Sequence, residues 1–320
     1  MTRSQKPTRH WGRNFLAMLI AGTAIGVAHI HNDPMSIGGN PVARADTFSV
    51  ATMSPMDTTP IQAPLETVEG QEQVPENPDV LRGIWAVKMV HDMLVRGVKQ
   101  FQEVPDYTAT MFKQERVGGT LTDGQQIEMK IKHEPFSVYM KWLSGDRGRQ
   151  LIYVDGENDG NFLVQPGGIK GRLTGVIALD PNGSLALSES RHPVTNIGLL
   201  ELAKLILQYQ ERDLERGEGF KAEIHDNQQY EGRDCYLVRC EYDSPEINSE
   251  YRKSVFFIDK ELSLPVCVKN YTWVRDADPE KLDEESLIEF YAYTNIEFSQ
   301  ELTTADFDAT NRKYRLRVRR

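Results

Sequence analysis

From Val80 onward, apolar side chains recur at steps of three and four: Leu81, Ile84, Val87, Leu94, Val98 and Phe101. Arg82, Lys88 and Asp92 fall on the other side. This period predicts an amphipathic helix, capped by Asn77-Pro78-Asp79 and ended by Pro105. His91 shares the stripe and reads as a packed core histidine. After Pro105 the period drops to two. Residues 107–117 read as a strand, Gly118-Gly119 as a turn, and Ile127-Glu128-Met129-Lys130-Ile131-Lys132 as a half-buried antiparallel strand. Phe136, Val138, Met140 and Trp142 share one face of the next strand; Tyr139 and Leu143 lie on the other. Residues 151–154 make a further strand closed by turn formers at 155–160, and residues 173–179 suggest another. A second helix opens at Thr195 or Asn196, with Ile197, Leu200, Leu202, Leu205, Ile206 and Tyr209 on its apolar face. Strands resume at 220–224, 234–242, 254–258, 264–273 and 286–298. The final Lys313-Tyr314-Arg315-Leu316-Arg317-Val318-Arg319 alternates basic and apolar residues, as a charged edge strand would.

Runs of strands, instead of strictly alternating βαβ units, indicate an α+β fold with an antiparallel sheet and helices on one face. Twisted open sheets of more than about ten strands curl or split. The expected architecture is a strongly curved antiparallel sheet, an unclosed β-barrel, with helices packed across its open side around an apolar hollow.

The first quarter of the chain reads differently. Arg3, Lys6, Arg9 and Arg13 precede an apolar run at 15–28, the pattern of a secretory signal or of an N-terminal anchor if cleavage fails. Its length is below the ~20 residues that span a bilayer as a straight helix. Ala43-Arg44-Ala45 offers a cleavage site, with Gly26-Val27-Ala28 a nearer alternative. Pro34, Pro41, Pro55, Pro60, Pro64 and Pro75 punctuate a polar stretch without period, which reads as a linker too poor in apolar surface to fold. The resulting division is residues 1–31 as signal peptide or anchor, 32–77 as linker and 78–320 as folded domain. The expected location is periplasmic or otherwise exported.

Composition narrows the class. With 37 Lys+Arg against 47 Asp+Glu, the 320-residue chain carries a net charge of −10. Removing residues 1–45 takes away Arg3, Lys6, Arg9, Arg13, Arg44 and Asp33, leaving −14. An acidic body disfavours nucleic acid and weakens adhesion to anionic lipid, so the domain is expected to be peripheral to a membrane at most unless the anchor is retained. A polytopic membrane protein is excluded.

Three segments carry a resemblance: Phe112-Lys113-Gln114-Glu115-Arg116-Val117-Gly118-Gly119, Pro135-Phe136-Ser137-Val138-Tyr139-Met140-Lys141-Trp142, and Tyr291-Ala292-Tyr293-Thr294-Asn295-Ile296 with Asp306-Phe307-Asp308. They resemble a bacterial envelope family of unknown function, over roughly residues 80–314. That family is similar in turn to the lipoprotein-carrier (LolA/LolB-like) fold, an unclosed barrel with a helical lid. The resemblance implies capture of acyl chains or lipidated proteins in an apolar groove, and it transfers no catalytic residue.

Candidate chemistry is sparse. Ser188-Glu189-Ser190-Arg191-His192 holds nucleophile and base types, but no G-x-S-x-G elbow occurs and Pro193 sets His192 in an extended or turn position. Asp155, Glu157, Asp159 and Gly160 mimic half of a calcium loop, yet Pro166 stands where a bidentate Glu belongs, so a hairpin turn is expected. Seven scattered histidines without H-E-x-x-H or C-x-x-C give no zinc motif, and no cofactor is expected. Cys235 and Cys240 point to opposite faces of one strand. Either can bridge to Cys267 in an oxidising compartment; Cys240–Cys267 is the favoured candidate, and three reduced thiols are the alternative. Large apolar side chains on both faces of several strands exceed what one helix layer covers. Phe136, Tyr139, Met140, Trp142, Phe256 and Phe290 are therefore the candidate ligand-binding residues. The expected function is non-enzymatic binding of an apolar ligand, an acyl lipid or lipidated protein. The alternative is a protein-interaction or signalling module of the same fold, with an envelope protein as partner.

Overall fold

A computed structural model describes residues 80–318, so the signal and linker segments lie outside the described residues. Every strand among those described joins one antiparallel sheet. The strands are β1 (Val80–Arg82), β2 (Asp106–Val117), β3 (Thr120–Leu121), β4 (Gln125–Lys132), β5 (Ser137–Trp142), β6 (Gln150–Val154), β7 (Phe162–Gln165), β8 (Ile177–Leu179), β9 (Phe220–Tyr230), β10 (Arg233–Tyr242), β11 (Lys253–Asp259), β12 (Pro265–Tyr271) and β13 (Leu287–Phe298). Their spatial order is β1-β9-β10-β11-β12-β13-β2-β4-β5-β6-β7-β8, with β3 paired to β2 alone. The sheet is curved and unclosed: β1 and β8 are its two edges.

Two 18-residue helices, α1 (Ile84–Phe101) and α4 (Leu199–Arg216), pack against each other on one face of the sheet. Short helices α2 (Gly168–Thr174), α3 (Ser184–Leu187) and α5 (Leu282–Ser286) lie in connections. The face beneath the long helices is the main core. Val90 and Leu94 of α1 and Leu199 and Ala203 of α4 meet Met129, Ile131, Met140, Phe256 and Val268 of the sheet, all buried. Period-two alternation sends Met111, Ile127 and Trp142 to this side and their chain neighbours to the other.

The structure departs from the sequence expectations at several places. Val80–Arg82 is an edge strand on β9, not a first helical turn, because Gly83 follows it at φ 67° and breaks the helical run. The buried stripe of α1 is consequently rotated to Ala86, Val87, Val90, Met93, Leu94, Gly97 and Phe101. Ile84 is exposed, and His91, half-buried beside Asp92, is not a core histidine. Residues 168–174 are helical, and only 177–179 pair as a strand. Helix α4 begins at Leu199, later than Thr195, because Val194–Asn196 form a separate 3-10 turn and Gly198 at φ 108° interrupts the run; the first amides of α4 then find tertiary partners. The N–H of Gly198 donates to the Tyr293 hydroxyl at 3.3 Å, and that of Leu199 to the Tyr107 hydroxyl at 3.0 Å.

The C-terminal residues form no edge strand. Residues 299–318 cross the opposite face of the sheet, where Tyr314 stacks on Tyr139 with ring centroids 4.1 Å apart and Phe307 joins Ile152 and Val154. Lys130 Nζ holds Asp306 at 2.6 Å, and the Asp106 carboxylate accepts the N–H groups of Gln300 and Leu302. Tyr314 and Leu316 of this segment pack on side chains of the sheet's outer face instead of pairing as a strand, and Val318 is exposed.

Gly97 is where α1 touches the β11–β12 turn. A Cβ there would lie 2.1 Å from the Ser263 carbonyl oxygen and 3.0 Å from that of Leu262. In an ordinary helix interior, Gly→Ala stabilises by about 0.5–1 kcal/mol. Here the backbone clash outweighs that gain. The expected outcome for Gly97→Ala is destabilisation by about 1–3 kcal/mol in urea denaturation, and a stabilised variant would refute the contact.

The polar row beneath helix α4 as candidate functional site

Cross-strand registry places Cys240, Ser254, Asn270, Glu289 and Glu115 in one line across β10, β11, β12, β13 and β2, on the helix-covered face. The next row on that face is apolar at Val238, Phe256 and Val268 and polar where Tyr291 and Lys113 approach Glu115. Glu289 and Glu115 stand directly opposite each other, 1% and 2% exposed. Two buried carboxylates in that position repel unless other groups neutralise them.

The loop before α4 supplies the partners. Arg191 Nε lies 2.9 Å from Glu289 Oε2, its backbone N–H donates to Glu115 Oε2 at 3.1 Å, and its terminal nitrogen reaches Glu250 at 2.7 Å. His192 Nε2 is 2.9 Å from Glu289 Oε2. The Tyr251 hydroxyl and the Asn270 amide donate to Glu289 Oε1, each at 2.7 Å. The Tyr291 hydroxyl and Lys113 Nζ, at 2.5 and 3.0 Å, serve Glu115. Burial pushes the Glu289 carboxyl up, but the hydrogen bonds and charges of His192, Asn270 and Arg191 outweigh it and hold it at about 2. Burial lowers His192, and the Glu289 contact and charge more than offset this, leaving the imidazole raised.

This geometry latches the loop; it does not form a nucleophile site. Ser190 Oγ donates to the His192 carbonyl and contacts Lys113 Nζ at 2.7 Å, while the His192 ring faces Glu289. A base must reach the nucleophile with a free lone pair. His192 is turned away, and the Lys113 ammonium is committed to Glu115. At the far end of the same cover, burial pushes Asp213 up to about 6, where the Tyr242 hydroxyl donates to it at 2.9 Å.

The six candidate ligand-binding residues do not share a wall. Phe136, Met140, Trp142 and Phe256 belong to the helix-covered core. Tyr139 and Phe290 lie on the outer face, in two smaller clusters: Tyr139 under the C-terminal segment, Phe290 with Phe112, Phe257 and Cys267. The apolar excess on both strand faces therefore reflects additional cores. Cys240 and Cys267 also lie on opposite faces, since Cys267 is in register with Phe257 and Cys240 with Ser254. They do not pair; all three thiols are free, and burial pushes Cys240 and Cys267 up to about 12. The 155–160 segment is an exposed turn joining the antiparallel strands β6 and β7, as expected.

Between α4 and the sheet, a cavity of about 30 Å³ remains, bordered by Leu205, Ile206 and Tyr209 above and Ser254, Phe256 and Asn270 below. The Gln210 side-chain oxygen beside it is buried without a hydrogen-bond partner. Larger hollows are open to solvent: about 580 Å³ beside Arg212, Glu215 and Asn248, and about 730 Å³ along α1 beside Trp85, Met89, Arg96 and Lys260. Among the described residues, no helix is long and apolar enough to cross a membrane.

Residues 104–316 match the family described as "Protein of unknown function (DUF1571)". The chain belongs to this family. Solved structures similar to this DUF1571 member include lipoprotein LppX of Mycobacterium tuberculosis (10% identity, 69% of this chain and 99% of that one, TM-score 0.39). A putative outer membrane lipoprotein-sorting protein domain from Vibrio parahaemolyticus aligns at 12% identity over 69% of this chain and 97% of its own (TM-score 0.32). MucB in the Pseudomonas aeruginosa MucA/MucB complex aligns at 12% identity over 69% of this chain and 61% of that one (TM-score 0.39). No curated protein matches by sequence.

The acidic pair escaped the sequence reading, although Glu115 occupies the same parity as Tyr107 and Met111, and Glu289 that of Tyr291 and Tyr293. A carboxylate at a core position of a strand is the signal that finds it.

Arg191→Met leaves Glu289 buried without its guanidinium, and a cost of about 3–5 kcal/mol is expected in urea denaturation. The Arg191→Met/Glu289→Met double variant is expected to recover most of it. Equal loss in both would contradict a charge latch.

The pH dependence has a defined sign. Stability from Glu289 ionisation is present above its unfolded value near 4.5 and is lost as pH falls toward about 2. Stability from His192 protonation is full below 6.5 and declines as pH rises through its raised folded-state value. The destabilisation by His192→Gln should therefore be larger at pH 6 than at pH 9, and a pH-independent difference would exclude the contact.

Proposed function

We propose that this protein is an exported, non-enzymatic envelope protein that takes an acyl chain between helix α4 and the sheet. The carrying observation is the seam itself. Its upper wall is Leu202, Leu205 and Ile206, its lower wall Phe256 and Val268, and its one side is polar at Tyr209, Gln210 and Asn270. An acyl tail fits the aliphatic side and its carboxyl or ester head the polar one. Ligand pockets commonly measure about 300–1,000 Å³, so the cavity of about 30 Å³ must widen before an acyl chain enters. Binding requires α4 to lift from β11 and β12. The polar latch at one end, the Asp213–Tyr242 hydrogen bond at the other and the Tyr209–Glu250 hydrogen bond between them hold the cover, and opening at the seam breaks the last of these.

Organic extraction of protein purified from an exporting host is expected to yield acyl lipid, and the stripped protein to take up a fluorescent C16 fatty acid saturably. Leu205→Gln, which puts an amide on the seam, should weaken uptake about tenfold while leaving the circular dichroism spectrum unchanged. A clean extract with no saturable uptake would overturn the reading, and capture of a specific envelope protein under those conditions would favour the interaction-module alternative.

A further inference from the structure

Helix α2 stands off the sheet between β7 and β8 on a single glycine. Gly171 is its one buried residue, and a Cβ there would meet the Pro166 carbonyl oxygen at 1.7 Å, so the helix closes onto the chain only through that glycine. Its remaining side chains face outward. Ile169 and Leu173, one turn apart, are 74% and 78% exposed, more than any other large apolar side chain among the described residues. Lys170 and Arg172 flank them and are exposed too.

The C-terminal segment brings further cations to this ridge. The Val176 N–H donates to the Arg317 carbonyl at 3.0 Å, and the Arg317 guanidinium donates to the Arg172 carbonyl. Arg315 and Val318, on either side of Arg317, are exposed. Lys170, Arg172, Arg315 and Arg317 thus gather about two aliphatic side chains on a chain whose net charge is −10. The acids at the margin are Asp146, against Gly167, and Asp180, just past β8.

We propose that the α2 ridge is where the protein rests on an anionic bilayer surface. Ile169 and Leu173 enter the boundary between headgroups and acyl chains, and the four basic side chains meet lipid phosphates. A convex ridge of branched aliphatics ringed by long, flexible cations suits a fluid surface better than a shaped protein pocket. Two apolar side chains give a reversible attachment that salt weakens, unlike an inserted helix. The inference is independent of acyl binding beneath α4.

The test uses the full chain with Thr174→Cys labelled by a polarity-sensitive nitrobenzoxadiazole dye, since the three native thiols are buried. A control label is placed at Glu218→Cys, in the exposed turn between α4 and β9. Because the dye senses its own surroundings, tethering through the apolar run near the N-terminus would not move it. Vesicles of phosphatidylcholine with one quarter phosphatidylglycerol are expected to blue-shift the α2 dye and leave the control unchanged, and pure phosphatidylcholine to do neither. Lys170→Glu/Arg172→Glu should weaken the response by roughly tenfold or more, as should Ile169→Ser/Leu173→Ser. An equal response to neutral vesicles, a response at both labels, none at all, or one produced only by an added acidic protein would overturn the proposal.

Discussion

Two carboxylates, Glu115 and Glu289, face each other across paired strands beneath the helical cover, and a sheet cannot hold them there unaided. Their mutual repulsion and their desolvation both oppose folding, so the surrounding chain is arranged to answer them. Arg191 binds one acid through its guanidinium and the other through its backbone N–H, while His192, Tyr251 and Asn270 complete Glu289. The loop that delivers Arg191 and His192 leads directly into α4. Neutralising the pair therefore also fixes where the cover begins, and the hydroxyls of Tyr107 and Tyr293 then cap its first turn. Electrostatic necessity and the position of the cover are one constraint.

That constraint bears on how an apolar face is closed. The rows of Met111, Ile127, Met129 and Trp142 are filled by α1 and α4 to near completion. The polar row sits at one end of this wall. The cover is held both by this apolar packing and by polar contacts at Arg191, His192, Tyr209 and Asp213, so opening must release some of each. In the proposed reading, an acyl chain replaces contacts that α4 already makes, so opening exchanges one apolar partner for another.

The outer face follows a different rule. It is covered in patches, by residues 299–318 over Tyr139 and Ile152 and by aromatic side chains around Phe290. The same C-terminal segment carries Arg315 and Arg317 to α2, so one stretch of chain both buries an apolar patch and assembles the basic ridge. A net negative charge, which argues against anionic lipid for the molecule as a whole, says nothing about such a local gathering.

Much of the fold was legible in the sequence. Period-two alternation in Ile127–Lys132, or in Phe136, Val138, Met140 and Trp142, depends only on neighbours along the chain, and it identified strands, faces and fold class. The α1 register was misjudged because Gly83 and the β1–β9 pairing reset it, a long-range effect invisible to local period. Which face a second apolar set served was equally hidden: Tyr139 meets Tyr314, 175 positions away in sequence, and only folding brings them together. The sequence by itself determined that the chain builds a curved antiparallel sheet with two amphipathic helices, because backbone geometry and hydrophobic period are local properties. Tertiary structure alone decided that Ser190, Arg191 and His192 latch a buried acid pair, that Cys240 and Cys267 are divided by the sheet, and that α2 meets the basic tail. Each of these turns on charges or side chains remote in sequence sharing one place, and no local pattern encodes that proximity.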